Sequence, residues 1–313
     1  MTPIVVQGVC KNFGALQALD GISFAVEAGE IFGLLGSNGS GKSTLLRILS
    51  LLIAPSRGTI SMLGRQVQKK DSSLLRQMGV VFDQTPHYEH LTGFENAWFF
   101  ARAYEVGDTE IESRLRHFFT ALDLWERRDD LVGIYSHGMK RKLALIEALA
   151  HHPRVILLDE PSLGLDYHSR MSLYQLLQER VQSGSSIIMA TNDVHEARLL
   201  CDRVALMRKG RILAVETPDA LIGSLGGYAI LEMRLDRPIP FDLLKGVPGI
   251  AQSEATVREN GSYGIRILAR DDPRILPTLL AEITPHASLI GLDIKRPDLG
   301  DVMLRFGGGA DAS

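Results

Sequence analysis

Phe32 to Leu46 reads FGLLGSNGSGKSTLL, and this stretch decides the fold. An apolar run stops at a glycine-rich loop, and a helix-forming run follows. The loop fits G-x-x-x-x-G-K-[ST], with Gly36, four intervening residues, Gly41, Lys42 and Ser43. Glycines let backbone N–H groups turn toward an anion, and the helix that follows adds its positive end. Lys42 can reach β and γ phosphates, and the Ser43 hydroxyl can ligate magnesium. The segment is therefore a phosphate cradle made of Gly36, Ser37, Asn38, Gly39, Ser40, Gly41, Lys42, Ser43 and Thr44.

A cradle that drives work needs acid groups at the end of a buried strand. RVILLDEPS (Arg154–Ser162) supplies them. Asp159 stands where the apolar run ends and can hold magnesium through water. Glu160, next to it, can orient or deprotonate an attacking water.

Working outward, residues 2–10 and 20–27 read as strands, Glu30 to Leu35 as a continuous apolar strand and Lys42 to Leu52 as a helix. Strand signals recur near 58–61 and 79–82. Residues 93 to about 150 are helical in pattern, with breaks near Gly107 and Gly133. Strand 154–158, helix 168–182, strand 186–190, helix 194–200 and strands 203–208 and 211–215 follow. Apolar strands alternating with helices predict a mainly parallel sheet covered on both faces. The helical stretch reads as an inserted subdomain spanning about 85–150.

After Pro218 the pattern changes. GSLGG (Gly223–Gly227) reads as a linker. Beyond it the order is β-α-β-β-α-β over 228–306, the ferredoxin-like arrangement. GGGADAS (307–313) reads as a frayed tail.

The 313 residues suit one large or two modest domains. The net charge of -3 argues against a broad nucleic-acid-binding surface. Cys10 and Cys201, the two cysteines, are far apart and fit reduced thiols. The opening MTPIVVQGVCKNFG lacks the basic and long apolar segments of a signal peptide. No window of eighteen consecutive apolar residues occurs, so any membrane role must come through a partner.

FGLLGSNGSGKST, YSHGMKRKLALIEAL (Tyr135–Leu149) and VILLDEPSLGLD (Val155–Asp166), in this order and spacing, resemble the ATPase subunit of an ABC transporter over residues 4–220. The signature segment YSHGM stands where that family usually has LSGGQ. Ser136 and Gly138 match; His137 and Met139 depart, in a way similar to exporter ATPases with YSxGM. The resemblance implies ATP and Mg2+ as ligands and a head-to-tail homodimer. Each ATP would lie between one phosphate cradle and Ser136, His137 and Gly138 of the other subunit. Helix 139–150 would aim its N-terminus at the γ phosphate. LGLD, ending at Asp166, matches the loop that crosses the dimer interface. Phe13, in KNFG, matches the aromatic that stacks on adenine.

Two positions depart from the family. The strand ending GVVF is usually followed by a glutamine that contacts magnesium and water. Counting back from Leu91-Thr92 puts Asp83 there, with Gln84 next; either can serve as the metal contact. The family also has a histidine bonded to the γ phosphate after strand 186–190, where this chain has Asn192. Asparagine keeps an amide donor but cannot carry a proton, so turnover is expected to be reduced. His195 is expected to point into solvent from its helix.

HYEH (His87–His90) resembles a metal pair by spacing but offers no closed ligand set. Its loop, in this family, faces the membrane subunit. Trp98, Phe99 and Phe100 read mostly as subdomain core. Lys140, Arg141 and Lys142 read as a solvated face. DLGDVMLRFGG (Asp298–Gly308) resembles the ending of the accessory domain on daunorubicin-resistance exporter ATPases, commonly SLEDVFLRLTG. That domain holds no nucleophile–base–acid cluster and reads as regulatory or dimer-supporting.

The fold expected is α/β: a phosphate-loop ABC ATPase domain over 1–222, with an antiparallel β edge, joined by 223–227 to an α+β ferredoxin-like accessory domain. The expected function is ATP hydrolysis for a multi-subunit exporter. The chain would sit peripherally on the inner face of the cell membrane against an integral permease, with no nucleic acid. The alternative is a soluble ABC-type switch with slow turnover.

Overall fold

The computed structural model describes residues 3–67, 71–83, 85–240, 242–257 and 263–307. It divides into two compact units, Met1–Thr217 and Pro218–Ser313.

The first unit is built from strands β1 (Ile4–Phe13), β2 (Leu16–Val26) and β3 (Ile31–Leu35), helix α1 (Lys42–Leu49), strands β4 (Arg57–Met62) and β5 (Arg65–Gln66), helix α2 (Ser72–Leu75) and strand β6 (Met78–Val81). Helices α3 (Gly93–Ala103), α4 (Asp108–Ala121) and α5 (His137–Leu149) form the helical insertion. Strand β7 (Val155–Asp159), helix α6 (Tyr167–Gln182), strand β8 (Ser186–Thr191), helix α7 (Val194–Leu200) and strands β9 (Arg203–Arg208) and β10 (Arg211–Glu216) complete it.

Two sheets share one core. The six-stranded sheet has the order β10-β9-β3-β8-β7-β6 and is parallel except for the β9–β10 pair. Its middle strands IFGLL and VILLD are buried at every position, as parallel strands covered on both faces must be. The second sheet, β2-β1-β4-β5, is antiparallel. It is a separate sheet, not an edge of the first. Phe24 of β2 stacks on Phe32 of β3 at 4.9 Å, inside the apolar cluster shared by both sheets.

The parallel register brings the carboxyl ends of β3, β7 and β8 side by side: Leu35 beside Thr191, and Asp159 beside Ala190. Loops leaving that edge converge, the usual location of a ligand site in an open α/β sheet. α1 is shorter than the expected Lys42–Leu52, because Leu51 turns left-handed at φ 63° after the Ser50 cap. In the insertion, Thr92 and Glu95 cap α3 reciprocally, and Ser136 caps α5 by accepting the Met139 N–H. Trp98 packs on Phe94, which reaches Phe119, whereas Phe99 is exposed in an edge-to-face pair with Tyr88.

The second unit starts at Pro218, ahead of the joint read from sequence. Helix α8 (Pro218–Gly223) and the turn after it bury Leu221 and Leu225, so GSLGG is pinned by its apolar residue. Strand β11 (Tyr228–Leu235), helix α9 (Asp242–Lys245), strands β12 (Ile250–Val257) and β13 (Tyr263–Arg270), helix α10 (Ile275–Ile283), strand β14 (Leu289–Lys295) and helix α11 (Leu299–Gly307) follow. The sheet is antiparallel in the order β12-β13-β11-β14. Leu231, Met233, Ile265, Ile267, Leu279 and Ile283 fill its core. Arg305 of α11 donates to the Ser224 carbonyl after α8. Most of the GGGADAS tail lies outside the described residues. No described helix is long and apolar enough to cross a membrane.

Candidate functional site

The loop between β3 and α1 forms the floor of a cleft of about 800 Å³. Its geometry requires glycine at two points. Gly41 has φ 107°, and a Cβ there would press on Leu19 Cδ2 at 2.8 Å and the Ala18 carbonyl oxygen at 3.0 Å. A Cβ at Gly36 would collide with the Met207 carbonyl oxygen and with Ser40 Oγ. The Gly210 N–H donates to the Ser40 carbonyl oxygen at 3.0 Å, which ties the loop to the β9–β10 turn.

Lys42 is buried at the mouth of the loop. Its Nζ donates to the carbonyl oxygens of Gly36 (2.6 Å) and Ser37 (3.3 Å) and lies 3.9 Å from Glu160 Oε1. Burial pulls its pKa down, against the attraction of Glu160 and Asp159. Across the cleft, β7 runs out at Asp159. Burial holds the carboxyls of Asp159 and Glu160 above their ordinary values, while Ser43 hydrogen-bonds the first and the Asn192 N–H the second. The Asn192 N–H to Glu160 Oε2 distance is 3.4 Å. Glu160 has φ 48°, a left-handed conformation that costs a non-glycine residue ~1–2 kcal/mol.

Among the residues lining the cleft, two buried oxygens are left without partners: Asp159 Oδ1 and Ser40 Oγ. A buried carboxylate oxygen without a hydrogen bond is expensive. Its place beside the Ser43 hydroxyl suits a hard cation that takes oxygen ligands and keeps phosphate or water as the rest of its shell. The residues present therefore fit Mg2+ and a phosphate chain.

Among the residues singled out by sequence, the cleft is lined by Phe13, Asn38, Gly39, Ser40, Gly41, Lys42, Ser43, Thr44, Asp83, Asp159, Glu160 and Asn192. Phe13 is 48% exposed, with Lys11 Nζ 5.0 Å from its ring centroid, so a face is open for stacking. Gln84 lies outside the described residues. His195 is exposed on α7 and away from the cleft lining. Ser136, His137 and Gly138 do not line this chain's own cleft. Ser136 and His137 are exposed at the start of α5, and the helix begins at His137, two residues before the expected 139. Gly164 of LGLD packs against the His137 ring. Asp166 caps α6: its carboxylate accepts the Ser169 N–H and hydroxyl, which hold its pKa down to about 2.

Sequence reasoning missed some features. Gln17, Ala18, Lys209 and Gly210 also line the cleft. They come from the start of β2 and from the β9–β10 turn, brought to the loop by tertiary packing, and no spacing rule marks them. The reading of 140–142 as a solvated face is corrected: Arg141 and Lys142 are buried, and Lys140 pairs with Glu89 at 2.8 Å. Helix α5 has neighbours on nearly every side, so the charges on it are not a surface stripe. His87 is buried against Glu147, Nδ1 to Oε1 at 3.1 Å, and its Nε2 meets the Lys140 carbonyl oxygen.

A phosphate cradle at the carboxyl edge of a parallel sheet, faced by the buried carboxyl of Asp159 and the half-buried one of Glu160 and joined to a helical insertion, defines a nucleotide-driven ATPase cassette. A family model described as ABC transporter matches residues 19–163. The chain is 30% identical to the linearmycin resistance ATP-binding protein LnrL of Bacillus subtilis (strain 168), over 96% of this chain and 97% of that one. It is 32% identical to the daunorubicin resistance ATP-binding protein DrrA2 of Streptomyces coeruleorubidus, over 95% and 92%. A solved structure of the ATP-binding subunit of an ABC transporter superposes with a TM-score of 0.68 at 30% identity, covering 72% of this chain and 94% of that one. The chain belongs to the ATP-binding proteins of ABC transporters and is an ATPase of the drug-exporter type.

Proposed function

We propose that this chain is the ATP-binding and hydrolysing subunit of a multi-subunit exporter, acting as a homodimer on a separate integral membrane permease. The observation that carries this reading is the split of the site. One chain presents the cradle, Asp159 and Glu160 in its cleft, while the exposed Ser136 and His137 and the half-buried Gly138 stand elsewhere on the same unit. Two copies placed head to tail would complete both clefts. Phe13 would stack on adenine, the loop amides and Lys42 would hold the phosphates, and Asp166 would lie at the subunit boundary.

Ser43, Asp159 and Asp83 are the residues that would hold Mg2+, which when bound neutralises charge on the phosphates. Glu160 takes the proton of the attacking water. Its raised pKa suits a base, because a more basic carboxylate accepts a proton more readily. Asn192 offers its amide to the γ phosphate. The exposed pair Tyr88 and Phe99 and the segment 83–100 would receive the permease on the inner face of the membrane. The second unit is a ferredoxin-like accessory domain that supports dimerisation or regulation; its 2-3-1-4 strand order in an antiparallel sheet favours this reading.

The test is co-purification. The full tagged chain with Glu160→Gln is expressed in its native host with ATP, the membranes are gently solubilised, and the bound protein is identified. A stoichiometric polytopic protein supports the exporter. An intact complex with only soluble protein or nucleic acid overturns it. A second reading, an ATP-gated switch with slow turnover, is favoured by one observation: Asn192 and Asp83 stand in the cleft where the family carries histidine and glutamine.

A further inference from the structure

Arg141 is 5% exposed and lies behind the cleft, outside its lining. Its guanidinium meets four backbone carbonyls. Nε donates to Pro161 O at 3.3 Å, Nη1 to Phe82 O at 2.6 Å, and Nη2 to Glu160 O at 2.6 Å and to Asp159 O. No carboxylate takes part in these bonds. Three of the carbonyls are consecutive and belong to the turn that carries both cleft acids. The fourth is the peptide just before Asp83.

Consecutive carbonyls in an extended strand point to opposite sides. Here three converge on one group where Glu160 turns left-handed at φ 48°. A non-glycine residue keeps such a conformation only when its surroundings over-determine it. The Glu160 N–H bonds the Ala190 carbonyl oxygen in β8, and the Leu163 N–H returns to Glu160 O. The first fixes the N–H side of the peptide; Arg141 gathers the carbonyls and shares Glu160 O with the Leu163 N–H. A planar fork with five donors can do this; a lysine ammonium with three donors cannot span the same set.

We propose that Arg141 is a positioning residue for hydrolysis: it holds the Asp159–Pro161 turn in the conformation that aims the Glu160 carboxylate at the cleft, and fixes the Phe82–Asp83 peptide in the same grip. This rests on the reading of Glu160 as the group that activates water. Arg141 lies on α5, whose first turn is the signature segment. The same side chain therefore ties the acids of a chain's own cleft to the helix that faces the partner's nucleotide.

The experiment compares Arg141→Met, Arg141→Gln and Arg141→Lys with wild type in the full chain, each alone and combined with Glu160→Gln. Mg-ATP binding is measured at equilibrium and turnover at saturation. Turnover of Arg141→Met is expected to fall about 10²-fold, as for a misplaced reacting group, with ATP affinity within about threefold. Arg141→Gln and Arg141→Lys, which keep fewer donors, should fall between wild type and Arg141→Met. The double variant Arg141→Met/Glu160→Gln should be no slower than Glu160→Gln alone, because both changes act through one carboxylate.

Parallel loss of ATP affinity and turnover in all three variants would make Arg141 a packing residue and overturn the proposal. If Arg141→Met fails to fold, the Gln and Lys variants decide the same question. Wild-type turnover in the Arg141 variants, with Glu160→Gln inactive, sinks this proposal alone. Wild-type turnover in Glu160→Gln sinks the reading of Glu160 and this proposal with it.

Discussion

Asp159 in the first unit and Asp301 in the second are both almost fully buried, 4% and 2% exposed. Burial raises the pKa of each. Their surroundings differ. Asp301 Oδ1 accepts from Arg266 Nη2 and Oδ2 accepts the Asp298 N–H, both at 2.8 Å. Asp159 keeps one oxygen with no partner. A buried carboxylate with both oxygens satisfied holds a fold together. One with a bare oxygen beside a hydroxyl and a phosphate cradle is built for a ligand that is absent from the chain itself. At the cleft, the left-handed Glu160 lies with the buried oxygens Asp159 Oδ1 and Ser40 Oγ, while the second unit is an apolar core in which Arg266 pairs with Asp301 and Glu232.

The largest expected effect breaks the cleft and spares the rest. Glu160→Gln should lower turnover by about 10²–10³, the size of one lost transition-state group, while Mg-ATP binding persists. The wild-type rate should fall on acidification at a higher pH than an ordinary glutamate would set. Only the charged carboxylate accepts a proton, and burial raises the pH at which it becomes charged. A pH–rate profile checks the limb, which should be missing from the residual activity of Glu160→Gln.

Asp301→Ala attacks the ion pair of the second unit. It removes the buried partner of Arg266 and leaves Glu232 at 3.6 Å, and since Arg266 is about one-third exposed, the loss should be about 2–3 kcal/mol, below the range for fully buried pairs. Denaturant melts should show the second unit weakened and Mg-ATP affinity unchanged.

Asp159→Asn should give the opposite pattern. A raised carboxyl pKa means that its charge at pH 7 weakens the nucleotide-free fold, so the neutral amide should melt at a higher temperature without ligand. Mg-dependent ATP affinity should drop by about tenfold or more, roughly 1.4 kcal/mol. Thermal melts with and without Mg-ATP read both signs at once. A destabilised apo variant would remove the distinction between the two aspartates.

The smallest expected effect concerns Asn192, whose amide already supplies a donor. Asn192→His should raise turnover by about tenfold, since part of a donor's contribution is already present. No change in steady-state turnover would remove the case for a slow switch.

Several parts of the chain were legible from local order alone. FGLLGSNGSGKST and RVILLDEPS dictate strand, loop, helix and acid because each signal lies within a dozen residues: continuous apolar runs, glycines where backbone must approach an anion, carboxyls at a strand end. The change of pattern after Pro218 and the β-α-β-β-α-β order were likewise written in periodicity. Phe13, Asp83 and Asn192 could be marked as cleft residues because the family resemblance carried the spacing across 180 residues.

Other features arose only when distant segments met. The parallel register sets Asp159 beside Ala190, and the start of β2 at Gln17 and the turn at Gly210 close the cleft from outside any motif. Burial then assigned roles that residue type could not. Arg141, charged and flanked by lysines, has the local pattern of a solvated face. Packing of α5 against α3 and β6 made it the partner of four carbonyls. His87, half of a metal-like pair by spacing, became the partner of Glu147. Local sequence fixes which conformations and ligands a segment can support. Which polar groups lose water, and therefore must find a partner or a ligand, is decided by what the whole chain brings against them.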